Sequence, residues 1–422
     1  MVREKAGTAC YDPQAVSQPQ RQLSDARTMQ PGFVRRLGLA LLNPRFQVIA
    51  LGWAVLVTAV VFLPDPAGFA VDTHIYAGAY RNMAAGLPAY GVPYAMTADP
   101  TGQQTIQYFS TPAAAVVGGW IGALPSGDVS WLLVNLVATL AAFAMLLHLV
   151  RPSLGGRLSV SLLMGGLAVV LLFQPDIQQL VYGNQESLTL LGVTIAVYGL
   201  RRGSPAATGS GIAFAAVLKA WPALLLLPFV AQRRWREVGW AVACAGVLLA
   251  LTLPVVGIRP WLELATRILD GGLGSLAQGG YNMAPLATLL PGVPSIAWVA
   301  MTCVAVAAAG LLPLSRAVPA SMSAFILFWP VVWMHDGVIL LAGLVLLYLV
   351  DRRLAPTLLL AYVLFAVRVP IVWLPAALLL LATSAVPDRV LQAQASVRRI
   401  LAGPYEVRRE RETRAVESAG GS

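Results

Sequence analysis

Apolar runs long enough to cross a bilayer recur from residue 47 to residue 384, and the charged residues fall mainly between them. About 20 apolar residues in helical form span the roughly 30 Å of a hydrocarbon core. Lipid cannot hydrogen-bond an exposed backbone, so repeated runs of this kind leave a helical bundle as the available architecture. The alternative of a large soluble core is excluded by degree. The chain is 58% hydrophobic and 11% charged, with a mean hydropathy of +0.71, whereas soluble domains average about 45–50% and about 25%.

The pattern predicts an all-α membrane protein with twelve membrane-crossing or re-entrant segments. They lie near 47–64, 129–149, 158–174, 187–200, 206–219, 221–232, 238–256, 295–313, 320–334, 337–350, 354–367 and 370–384. The pairs 206–219/221–232 and 354–367/370–384 are short and read as hairpins. The short run 112–124, followed by Pro125-Ser126-Gly127, reads as a helix lying at the outer interface. With both termini inside, 24 of the 29 Lys and Arg residues fall on the inner side, the asymmetry expected of a cytoplasmic face. This predicts a plasma-membrane protein with residues 1–46 as a mostly disordered cytoplasmic tail, 47–385 as the transmembrane domain and 386–422 as a basic cytoplasmic tail. It also accounts for the net charge of +10 without nucleic acid. The polar residues before 47 do not form a signal peptide. The three cysteines make neither a disulfide framework nor a metal-binding spacing.

Polar side chains near a bilayer are costly and are therefore candidate functional groups. Here they gather toward the outer face. The first outer loop, 65–128, carries Val71-Asp72-Thr73-His74-Ile75-Tyr76, then Tyr80-Arg81. Asp72 is a candidate general base, and a helix N-cap is the competing reading. In Ala216-Val217-Leu218-Lys219-Ala220-Trp221-Pro222 a lysine interrupts about 25 apolar residues and falls at the apex of a hairpin. Ala207, Gly211 and Ala215 recur at four-residue spacing, which permits close helix packing. A buried ammonium needs an anion, for which a lipid phosphate is a candidate; a snorkelling lysine is the alternative. His335 and Asp336 stand between two apolar runs, either as ligands of a phosphate or sugar or as a polar turn. Asn184, Gln185 and Glu186 open the crossing at 187, and Tyr281 and Asn282 lie in the 257–294 loop. Such side chains suit sugar hydroxyls, and they also suit turns and caps. Glu186 rivals Asp72 as base.

Taken together, Asp72-Thr73-His74-Ile75-Tyr76, Gly86-Leu87-Pro88-Ala89-Tyr90, Phe109-Ser110-Thr111-Pro112, Gly183-Asn184-Gln185, Val217-Leu218-Lys219-Ala220-Trp221-Pro222, Arg234-Trp235-Arg236 and Trp333-Met334-His335 resemble an actinobacterial family of glycosyltransferases. It is glycosyltransferase family 87, polyprenyl-phosphate-dependent mannosyltransferases of the GT-C type. The chain departs from the family pattern at Ser110-Thr111, at Asn184 and at Asp336.

The resemblance implies a GT-C bundle with a long first outer loop and an inverting transfer of mannose on the outer face. The donor would be a polyprenyl-phosphate sugar and the acceptor a cell-envelope glycolipid or lipoglycan. Asp72 would be the catalytic base. Lys219, His335 and Arg81 would bind the donor phosphate. Tyr76, Asn184, Gln185, Glu186, Tyr281, Asn282 and Asp336 would line the substrate site. No cofactor and no metal are expected. Arabinofuranose from a decaprenyl-phosphate donor is the close alternative, and a lipid-linked sugar transporter is the alternative of a different class.

Overall fold

The computed structural model describes residues 71–95, 105–124, 126–154, 173–269, 282–367 and 369–386, with Gly166 and Val170. The expected first crossing at 47–64, most of the crossing at 158–174, both tails and Tyr281 lie outside the described residues.

The fold is all-α apart from one small antiparallel ribbon, β1 (Pro93–Ala95) with β2 (Thr105–Gln107). Helix α1 (Val71–Ala84) precedes it, and α2 (Pro112–Gly122) and α3 (Gly127–Val150) follow. Next come α4 (Gln174–Tyr182), α5 (Glu186–Arg202), α6 (Pro205–Leu218), a 3₁₀ segment at Trp221–Leu226 that continues as α7 (Leu227–Ala231), α8 (Trp235–Val256) and α9 (Arg259–Leu269). The last third holds α10 (Pro285–Leu289), α11 (Ser295–Ala309), α12 (Leu314–Phe328), a 3₁₀ turn at Met334–Ile339, α13 (Leu340–Val350), α14 (Ala355–Phe365) and α15 (Pro370–Ala385).

Two helical segments, Gly127–Ser153 and Trp235–Val256, are long and apolar enough to cross a bilayer alone, while the other apolar helices have 10–17 residues. Apolar side chains stand exposed along α3, α8 and α11, among them Val137, Val242, Val247, Leu251 and Val304. Such faces fit a surface solvated by lipid.

Three local features have physical causes. First, the run at 112–124 forms helix α2 and packs against α1. Residues 112–116 of α2 are buried, because Gly118 and Gly119 let the rings of Tyr76 and Tyr80 on α1 sit against its backbone. Second, the run expected to be helical to residue 334 stops at Phe328. Pro330 removes a donor and forces Trp329 into extended backbone, at φ −71° and ψ 138°. Third, residues 329–333 form an extended strap that ends in the 3₁₀ turn carrying His335 and Asp336.

The expected hairpin around Lys219 is present, with α6 rising to Leu218 and the chain reversing through Trp221-Pro222. Its base is a second reversal. Arg201 and Arg202 end α5, Gly203 adopts φ +66°, and the Ser204 hydroxyl caps α6. Helices α5 and α6 touch through bare backbone. A Cβ on Gly192 would meet the Gly211 carbonyl at 2.9 Å, and Gly199 and Gly211 are as tightly covered. The spacing at Ala207, Gly211 and Ala215 thus serves close packing. Two apolar cores result: one runs through α3, α5, α6 and the last third, and a smaller one gathers Ile75, Tyr76, Met83, Tyr90, Tyr108 and Trp131 around α1. Side chains from both regions meet at the ends of α1, α5 and α6.

Candidate functional site

The site begins with the turn between α4 and α5. Gly183 adopts φ +68° and closes α4, and its carbonyl accepts from the Trp131 indole of α3. The three residues after it then emerge as a rigid group. The Asn184 side-chain carbonyl accepts from the Glu186 backbone at 3.2 Å, which orients the amide. Its Nδ2 faces both Asp72 Oδ2, at 2.7 Å, and His335 Nε2, at 3.1 Å. His335 Nε2 is therefore an acceptor, and the ring proton belongs on Nδ1. One amide thus ties the first outer loop to the 3₁₀ turn, two segments far apart in the sequence.

Glu186, fully buried at the first turn of α5, binds Lys219. Lys219 is the first residue beyond α6, with extended backbone at φ −142°. Its ammonium bridges Glu186 and Asp336. Asp336 in turn accepts from the Trp333 backbone at 2.7 Å through its other oxygen. The lysine meets protein carboxylates instead of snorkelling away from the bundle. Among the described residues, Glu186 Oε2 has no partner. Glu186, His335 and Asp336 bring ligand atoms within 4.8 Å of one another and are the residues that a metal ion would use. The Lys219 ammonium already supplies a positive charge between the two carboxylates.

Gln185 points the other way. It donates to the Leu218 carbonyl at 2.9 Å and to Ser110. Thr111, the N-cap of α2, donates to the same carbonyl at 2.9 Å. The last carbonyls of a helix have no intrahelical partner, and here Gln185, Ser110 and Thr111 satisfy them, holding Lys219 in place. Asn282 has a similar structural duty. It donates to the Pro330 carbonyl at 2.9 Å and accepts from the backbones of Val332 and Ala284, each at 2.9 Å, which pins the strap. Tyr76 lies one turn beyond Asp72, buried edge-on against Tyr108 and Trp131 at 5.8 and 5.9 Å. Arg81 is exposed. It stands nine residues beyond Asp72, about 13 Å along the helix and half a rotation around it, apart from the cluster.

Asp72 lies outside the predicted crossings. Burial pushes its carboxyl up to about 6, against the lowering effect of the Asn184 hydrogen bond and the Lys219 charge.

An aromatic cleft opens beside Lys219 and Asp336, lined by Phe109, Trp221, Trp329 and Trp333 and by one residue absent from the sequence-based candidates, Arg267. Its signal was there to be read: α9 is amphipathic, with Arg259, Glu263 and Arg267 at four-residue spacing directly after the apolar run 238–256.

Apolar helices that converge on a buried cluster of carboxylates, lysine and histidine fit a membrane-type protein with a polar centre. The profile of glycosyltransferase family 87 matches residues 108–319, half of the chain, and the chain belongs to that family. It is a glycosyltransferase. The match includes Asn184, Gln185, Glu186, Lys219 and Arg267, while Asp72, His335 and Asp336 lie beyond its limits. No curated protein matches the chain.

Proposed function

We propose that the protein transfers mannose, with inversion, from a polyprenyl-phosphate donor to a cell-envelope glycolipid or lipoglycan on the outer face of the plasma membrane. The observation that carries this reading is the convergence of Asp72, Asn184, Glu186, Lys219, His335 and Asp336 in one cluster beside an aromatic cleft. A lipid-linked sugar transporter would distribute its polar groups along a path through the bundle; here they gather at one end of α5 and α6.

In the proposed reaction the acceptor hydroxyl oxygen attacks the anomeric carbon and forms the new glycosidic bond. Asp72 takes the hydroxyl proton. The bond from the anomeric carbon to the phosphate oxygen breaks, and its electron pair leaves with the polyprenyl phosphate. Positive groups beside the cleft stabilise that growing charge. Asn184 keeps the Asp72 carboxylate and the His335 ring in one geometry, and Glu186 holds the Lys219 ammonium beside the cleft. A phosphate leaving group stabilised in this way needs no metal ion, so activity should persist in chelator.

The test uses purified protein in lipid nanodiscs with labelled polyprenyl-phosphate mannose and an envelope glycolipid extract, comparing wild type with Asp72→Asn. Transfer by the wild type that falls by about three orders of magnitude or more in a folded variant supports the assignment. Equal transfer by both moves the base to Glu186. Transfer from a polyprenyl-phosphate arabinofuranose donor alone would replace mannose, and no transfer from either would overturn the reading.

A further inference from the structure

We propose that Arg267, held in place by Gly91, is the principal anchor of the donor's phosphate. The inference rests on the polyprenyl-phosphate donor proposed above. Two cationic side chains line the aromatic cleft, Lys219 and Arg267. They are not equivalent. The single charge of Lys219 is already shared between Glu186 and Asp336, both buried, so it brings no surplus positive charge to an incoming anion. A phosphate set against that triad alone would face two carboxylates for one ammonium. Arg267 differs: among the described residues no carboxylate forms an ion pair with it, although Glu263 one turn before it pairs with Arg259 at 2.8 Å. A guanidinium presents a planar fork of donors that matches two phosphate oxygens at once. Trp221 lines the same cleft, and its buried indole N–H lacks a partner among the described residues.

The position of Arg267 depends on the bare backbone beside it. Its guanidinium lies against the backbone of Gly91, so closely that a Cβ there would collide with it. Gly91 has φ +74°, a conformation that side chains other than glycine resist. Two independent requirements, a left-handed turn and bare backbone beneath an arginine, thus meet at one residue. Gly91 is a positioning residue, and the loop carrying it leads directly from α1, which bears Asp72. As the glycosidic bond breaks, the phosphate gains a formal negative charge, and the Arg267 guanidinium is the uncommitted cation on the cleft that receives it. The helix that carries Arg267 presents Leu264 and Ile268 to the same cleft, surfaces suited to the first isoprene units of the lipid.

The experiment measures binding of tritiated polyprenyl monophosphate to affinity-captured full-length protein by scintillation proximity, with unlabelled polyprenol as the uncharged competitor. The variants are Arg267→Gln, Arg267→Lys, Gly91→Ala and, as control, Arg236→Gln, an exposed cation at the start of α8. The wild type should prefer the phosphate to the alcohol. Arg267→Gln should weaken phosphate binding by about tenfold or more and leave polyprenol binding unchanged. Arg267→Lys should restore part of the loss, Gly91→Ala should displace the guanidinium and lose less than Arg267→Gln, and Arg236→Gln should match wild type. Phosphate preference retained in Arg267→Gln would overturn the anchor while leaving the donor class standing. A wild type that binds phosphate and alcohol alike would overturn both. If Arg267→Gln fails to fold, Arg267→Met, which keeps the apolar stem and removes the charge, carries the same test, and phosphate preference retained in it overturns the anchor.

Discussion

At the residue scale the decisive group is Asn184. A carboxylate and an imidazole nitrogen are both acceptors, and each would be costly to bury without a donor. The two hydrogens of one amide nitrogen serve both, at 2.7 and 3.1 Å. This makes the acidity of Asp72 a property of its neighbours. Burial raises the carboxyl to about 6 and the Asn184 hydrogen bond opposes that rise. A base must be ionised, so transfer should climb with pH through about 6 to a plateau above it. In Asn184→Ala the midpoint should move upward, because the contact that favours the carboxylate is gone; an unshifted acid limb in the kcat profile would show that another group sets it. Stability follows the same linkage with a definite sign. A folded-state value raised above the ordinary 3.8 means the carboxylic acid form is favoured by folding. The associated stability is complete below about pH 4 and is lost as pH rises through about 6. Asp72→Asn should therefore resist thermal inactivation better than wild type at pH 7.5, and the two should converge at pH 4. Inactivation curves in detergent at the two pH values test this directly.

Among the elements, the hairpin that ends at Lys219 depends on contacts no side chain could replace. Helices α5 and α6 meet at Gly192, Gly199 and Gly211, where an added Cβ would strike backbone. Gly211→Val should separate the helices, displace Lys219 from Glu186 and Asp336, and cost about 1–3 kcal/mol or more. Gly246 on α8 supplies the contrast, since nothing lies within 4 Å of its added Cβ. Gly246→Ala should be neutral or stabilise by up to about 1 kcal/mol, through helix propensity. Equal expression and melting of both variants would contradict the packing argument. The small-residue spacing on α6 and the chain reversal at Trp221-Pro222 were legible in the sequence, because local periodicity and proline chemistry act over a few residues. The partners of Lys219 were not. Glu186 and Asp336 stand 33 and 117 positions away, and no local pattern reports a contact made only after the bundle closes. The same limit hid the hydrogen bonds that Asn282 makes to the strap at 329–333 and the place of Arg267 beside the cleft, which reads as one more interfacial charge. The early end of α12 was legible in principle, since Pro330 announces it.

On the scale of the whole molecule, the described helices divide the chain's polar groups between two ends. Asp72, Asn184, Lys219, His335 and Arg267 gather where α5 begins and α6 ends, and the arginine pair 201–202 marks the opposite end of the same two helices. Arg234 and Arg236 stand at the start of α8 and the pair 352–353 just beyond α13, on that second end if α7, α8 and α13 run the alternating course that their order implies. Positive charge concentrated in this way is retained on the cytoplasmic side during insertion, so the polar cluster should face outward, where a lipid-linked donor and an envelope acceptor would meet it. The assignment can be measured without activity. In a cysteine-free background, Ala85→Cys at the exposed end of α1 and Arg201→Cys at the α5–α6 reversal report the two ends separately, both positions being exposed. A membrane-impermeant maleimide applied to intact cells should label Ala85→Cys and leave Arg201→Cys unmodified until the membrane is opened. The reverse pattern would put the cluster in the cytoplasm. The family membership would survive that result, but an outer-face reaction would not, and the donor would have to be one presented on the inner leaflet.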